Sequence, residues 1–121
     1  MELTATHLRY LLAIYGLAQK KAEVGAAEVA KAVRVSRPSV TRMLGNLMER
    51  GLLERERYGK IYLTDTGLLL AKRYSDRVTD LRGRVLQMGL ELTEEEVLET
   101  ACLLAASLPE RVLERAGDTA P

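Results

Sequence analysis

Apolar residues recur at three- and four-residue intervals through most of the chain, and that spacing predicts helices nearly throughout. Leu8, Leu11, Leu12, Tyr15 and Ala18 form a first stripe, widened by Ile14 and Leu17. The helix that carries it is opened by Thr4 or Thr6 and runs to about Lys20. A helix this apolar is predicted to be buried on more than one side. Residues 20–25 are a polar break. Ala26–Val33 then predicts a short second helix, and Arg34-Val35-Ser36 a tight turn. In the third helix Val40, Met43, Leu44 and Leu47 face inward. Ser36 suits its N-cap, and Pro38 sits in the first turn, where a missing N–H costs nothing. Arg37, Ser39, Thr41 and Arg42 are left on the exposed side near its start.

Gly51 ends that helix and the pattern changes. Leu52–Arg57 and Lys60–Leu63 predict two short strands around a Tyr58-Gly59 turn, with Arg55, Arg57 and Lys60 at the tip. Thr64 then caps a long helix reaching about Met88, whose stripe of Tyr74, Val78, Leu81 and Val85 outruns a compact head and predicts a partner. Gly89 breaks it. Thr93 and Glu96 form a capping box, with a staple between Leu92 and Val97, for a last helix carrying Leu98, Cys102, Leu104 and Leu108. Pro109 ends or restarts that helix, a short turn spans Glu110 to Ala116, and residues 117–121 form a flexible tail.

These elements predict a mainly α fold. Residues 1–65 form a winged helix-turn-helix DNA-binding domain with a two-stranded β wing, and residues 66–116 a helical dimerisation domain. A chain of 121 residues holds one domain, or a small domain plus an assembly element. Its core lacks Phe and Trp and must be built from Leu, Val, Ala and Tyr. No apolar run approaches the ~18 residues that would suggest a membrane span. The opening residues lack a signal-peptide layout. The single cysteine, Cys102, allows no intrachain disulfide and suits a reducing compartment, so a cytoplasmic location is expected.

Charge sharpens the functional reading. Net charge is +1, but residues 31–60 carry eight Lys/Arg against three Glu, a balance of +5, whereas residues 91–121 carry two Arg against eight Asp/Glu, a balance of −6. The basic stretch coincides with the third helix and the wing, the footprint of a phosphate-binding face. Ser36, Arg37, Pro38, Ser39, Thr41 and Arg42 are therefore expected at the major groove, with Arg55, Arg57 and Lys60 on the backbone or minor groove. Tyr74, Val78, Leu81, Val85, Leu98, Leu104 and Leu108 are expected in a homodimer interface, because two-fold pairing suits two half-sites. An enzyme is not expected. His7, the one histidine, has no nucleophile at a recognisable spacing, and there is no glycine-rich phosphate loop. No small-molecule substrate is expected either. A winged-helix protein-interaction module is the remaining alternative, and the basic helix and wing count against it.

The same residues carry a family resemblance. Tyr10–Leu17, Val29–Leu44, Gly51-Leu52-Leu53, Tyr58–Gly67 and Ala101-Cys102 are similar to the metal-dependent repressors of the diphtheria toxin repressor and manganese transport regulator family. The Val-Ser-x-Pro-Ser-Val-Thr run joined to the Tyr-Gly wing is the specific part. The resemblance implies a dimeric repressor bound to operator DNA. It also implies a Mn(II) or Fe(II) corepressor held between the first helix, the start of the long helix and the C-terminal helix. Arg42 falls where the family often has glutamine or another polar residue. An arginine there would suit bidentate pairing with guanine.

The implied metal ligands are where the chain departs. Arg9 stands where the family has Met or Asp, and Leu12 where the manganese branch has Glu. The histidine of the long helix falls near Arg77 or Thr79. The C-terminal Cys/Glu-x-x-Glu-His pattern becomes Cys102-Leu103-Leu104-Ala105-Ala106, so only Cys102 survives. One thiol cannot supply a Mn or Fe site. A metal-independent regulator, its site replaced by packing, is the primary expectation, with Arg9 pairing Glu99 or Asp76 as a stand-in for the cation. The alternative is a metal-responsive repressor with a site rebuilt from Cys102, Glu99, Asp76, Asp80 or His7.

Overall fold

The computed structural model describes residues 3–21, 23–57 and 59–118, and the side chains of all of these except 116–118. The chain order is α1 (Ala5–Lys20), α2 (Ala26–Val33), α3 (Arg37–Glu49), β1 (Leu53–Arg55), β2 (Ile61–Leu63), α4 (Asp65–Gln87), α5 (Glu94–Ser107) and α6 (Glu110–Asp118). They fall into two compact units, residues 9–72 and residues 1–8 with 73–121.

The unit of residues 9–72 is a winged helix. Tyr10, Leu11 and Ile14 of α1, Val29 and Val33 of α2, and Val40, Leu44 and Leu47 of α3 are buried, together with Leu52, Leu53 and Ile61 around the hairpin. The buried face of α1 therefore runs through Tyr10 and Ile14 rather than Leu12, Tyr15 and Ala18. The last of these is exposed and the other two are half-buried. The strands pair antiparallel with Leu53 opposite Leu63, Glu54 opposite Tyr62 and Arg55 opposite Ile61. They are shorter than expected. Residues 56–60 form the connection, closed by Glu56 N–H donating to Lys60 O at 2.8 Å and Gly59 N–H to Glu56 O at 2.9 Å. Gly59 takes a positive φ of 91° there; the expected turn partner Tyr58 lies outside the described residues. The polar break also does more than separate helices. Ile61 N–H donates to Val24 O at 2.8 Å, so Val24 bridges to β2.

The wing is joined to α4 by a tight backbone crossing. Thr64 N–H donates to Leu52 O at 3.1 Å, while the Thr64 hydroxyl donates to Gly51 O at 2.6 Å and accepts from Gly67 N–H at 3.0 Å. A Cβ at Gly67 would stand 2.0 Å from Leu52 O, so only glycine permits this approach.

In the unit of residues 1–8 and 73–121, Leu3, Leu8, Val78, Leu81, Val85, Val97, Ala101, Cys102, Ala105 and Leu113 are buried. Thr4 opens α1. Its hydroxyl accepts from His7 N–H at 3.2 Å, and its N–H donates to His7 Nδ1 at 3.0 Å. His7 is thus the reciprocal half of a cap, a structural use for the one histidine. On α5 the expected capping box is present, with Glu96 N–H donating to Thr93 Oγ1 at 3.1 Å and Thr93 N–H to Glu96 Oε1 at 2.9 Å. Two expectations are corrected here. Residues 110–118 are a helix rather than a turn and tail, because Pro109 O accepts from the N–H groups of Val112 and Leu113 and starts a new turn. Val78, Leu81 and Val85 do not await a partner, because the chain covers them itself. The exposed large apolar side chains of this unit are instead Leu86, Met88, Leu90 and Leu103.

Candidate nucleic-acid interface

The interface is built entirely within residues 9–72. It begins at the α2–α3 turn, where Arg34 adopts a left-handed conformation (φ 57°, ψ 50°) and closes α2 by donating its N–H to Ala30 O. Val35 N–H reaches the same carbonyl at 3.1 Å. L-residues pay about 1–2 kcal/mol for that backbone region. Here it turns the chain sharply and leaves Arg34 exposed at the entrance to α3. Sequence patterning marks a turn at this point but not which residue carries the positive φ, and Arg34 was not among the expected contacts.

Ser36 is the N-cap of α3. Its Oγ accepts from Ser39 N–H at 3.4 Å and donates to Ser39 Oγ at 3.0 Å. The Ser39 hydroxyl is half-buried and accepts this one bond from Ser36. Arg37, Pro38, Thr41 and Arg42 are all exposed on the first turns, opposite buried Val40 and Leu44. A helix N-terminus with outward N–H groups and positive partial charge suits phosphate, and the arginines add full charges beside it. All six side chains expected at the major groove therefore share one helix end.

The wing divides its cations. Arg55 and Arg57 are exposed, whereas Lys60 Nζ pairs with Glu23 Oε1 at 2.6 Å and is half-buried. Glu23 beside it holds the Lys60 ammonium above its ordinary range, so the charge persists but is partly neutralised. Glu23, like Arg34, was not singled out by the sequence pattern. It lies in the polar break that the Val24 bridge draws up to β2.

The metal implied by the resemblance finds no matching donors. Cys102 is fully buried on α5, Glu99 and Asp76 are exposed, and among the described residues no three of His, Cys, Asp and Glu gather where a metal could be held. Ala105 and Ala106 offer no donor atoms. Arg77, near the position of the family histidine, is a cation whose side chain is only 12% exposed. A guanidinium has five N–H donors and no acceptor, so it cannot ligate.

Residues 2–61 match the sequence profile of the iron dependent repressor, N-terminal DNA binding domain. The fold is similar to that of the manganese regulator SloR, with a TM-score of 0.77 and 24% identity, over 98% of this chain and 54% of that one. It is similar to ScaR with bound Zn2+, with a TM-score of 0.66 and 28% identity, over 93% of this chain and 52% of that one. A hypothetical protein from Sulfolobus solfataricus matches with a TM-score of 0.67 and 17% identity, over 96% of this chain and 88% of that one. The chain thus spans about half the length of the named regulators it matches.

Proposed function

We propose, from the match of residues 2–61 to the iron dependent repressor N-terminal DNA binding domain, that the chain is a sequence-specific transcriptional regulator, a repressor, acting as a cytoplasmic homodimer without a metal corepressor. The observation that carries the DNA reading is the end of α3, where Arg37, Thr41 and Arg42 stand exposed beside a capped helix N-terminus. Arg42 reads a base, Ser36, Arg37 and Ser39 position the helix on phosphates, and Arg55 and Arg57 grip the flanking backbone or minor groove. The division at residue 65 into head and dimerisation domain is part of the same reading. Its partner face is drawn from half-buried Tyr74, Leu98, Leu104 and Leu108 and from exposed Leu86, Met88, Leu90 and Leu103. Independence from metal rests on Arg9, Leu12, Ala105 and Ala106 replacing ligand types with groups that cannot bind a divalent ion.

A second reading is supported by the likeness to ScaR, whose structure holds Zn2+. In that reading Cys102, Glu99 and Asp76 form a rebuilt site after rearrangement, and Mn or Fe acts as corepressor. Selection of bound duplexes from a randomised pool, followed by affinity measurement over a salt series, tests the DNA reading. A two-fold-related site with a steep salt slope is expected; a flat slope with no enriched site would return the fold to a protein-interaction role.

A further inference from the structure

The C-terminal unit contains one ion cluster that the DNA reading leaves unused. Glu110, in the first turn of α6, accepts from Arg73 and Arg77, which lie one turn apart on α4. Arg77 binds through both terminal nitrogens, one of them 3.1 Å from Glu110 Oε2, and its guanidinium lies 5.5 Å from the ring centre of Tyr74. The grip is therefore bidentate from Arg77, joined by Arg73, with an aromatic face behind it. Arg73 and Glu110 are about half exposed, but Arg77 is largely withdrawn from water. Asp76, Asp80 and Glu114 line the cavity beside the two arginines, so the guanidiniums sit in an acidic surround.

We infer that Arg73, Arg77 and Glu110 are a built-in cross-link that fastens α6 to α4 with the chain's own cations. The inference rests on the metal-independent reading above and deepens it, since Arg77 occupies the neighbourhood of the family histidine. Here the positive charge is covalently part of α4, and α6 is docked at all times. The element most exposed to loss of the cross-link is α6 itself. It is nine residues long and anchored otherwise by buried Leu113.

Hydrogen exchange on the full chain, with chelator and then with excess Mn(II) or Zn(II), tests this. In the wild type the amides of α6 are expected to be equally protected in both conditions. Glu110→Ala should raise exchange across α6 about tenfold or more while leaving α2 and α3 unchanged, with no restoration by either metal. The exchange R77E/E110R keeps two arginines and one glutamate in the cluster and should recover most of the protection. Protection of wild-type α6 only in the presence of metal would overturn the inference. So would unchanged exchange in Glu110→Ala, or a double variant no better protected than Arg77→Glu alone. DNA binding on the same samples separates the two failures: loss of the cross-link result with DNA binding intact sinks only this inference.

Discussion

The two units of the chain spend their charges in opposite ways. In residues 9–72 the basic side chains of α3 and the wing point outward, and Lys60 alone among the expected contacts is held by an acid of its own unit. In residues 73–118 three arginines are paired internally: Arg73 and Arg77 on Glu110, and Arg84 on Asp80 at 2.9 Å. Cations in the two units thus mean different things. Charges held apart from acids by the fold are available to phosphate, and charges paired across helices are structural. The match to the iron dependent repressor N-terminal DNA binding domain covers residues 2–61, where the outward cations of α3 and most of the wing lie.

The largest expected effect concerns the joint beneath the wing. Gly67→Ala puts a methyl group 2.0 Å from Leu52 O, a clash with backbone that no side-chain rotation relieves. It should cost about 3 kcal/mol or more and is expected to abolish the cooperative thermal transition of the head or lower it sharply. A normal melting curve would break the description of the joint. Next, Arg42→Ala should cost about 1–3 kcal/mol of discrimination at one position of each half-site, whereas Arg57→Ala should weaken all sequences alike and reduce the salt slope. Identical behaviour of the two would erase the division between reading and gripping. Ser36→Ala removes the α3 cap and should lower stability by about 1 kcal/mol in chemical denaturation.

Smaller effects test the paired charges. Glu23→Ala should release Lys60 and tighten DNA binding a few-fold at low salt, an effect that fades at high salt. Tightening that persists at high salt would show that Glu23 acts by other means. In the C-terminal unit the two arginines, Arg77 first, hold the Glu110 carboxyl below its ordinary range. A carboxylate with a depressed folded pKa contributes stability above its unfolded value, near ~4.3, and loses it as pH falls through the lower folded value. Acid denaturation should therefore be shallower in Glu110→Gln than in wild type below about pH 4.

The head was legible in the sequence because its signals are local. The spacing of Val40, Leu44 and Leu47, the Ser36 cap and the Gly51 and Gly59 turns each fix a short stretch without reference to the rest. The Glu23–Lys60 pair was not legible, because it depends on Val24 bridging to β2 across more than thirty residues of chain. In the C-terminal unit an apolar stripe announces burial but not what supplies it, so Val78, Leu81 and Val85 read as a surface for a second copy. The cover comes from the chain's own packing, and α6 was hidden by a short, highly charged composition after Pro109. The Arg73, Arg77 and Glu110 cluster joins residues 33 and 37 positions apart, beyond any periodic signal.

The proposed function joins a DNA-binding head to a C-terminal unit that needs no metal. It is tested most directly by fluorescence anisotropy on a duplex from the selected pool, first in chelator and then with excess Mn(II), Fe(II), Co(II) or Zn(II). Tight binding in chelator, unchanged within twofold by every metal, is the predicted result. Binding that appears only when one of the metals is added would overturn the proposal and show that a ligand set has been rebuilt from residues assigned a structural role.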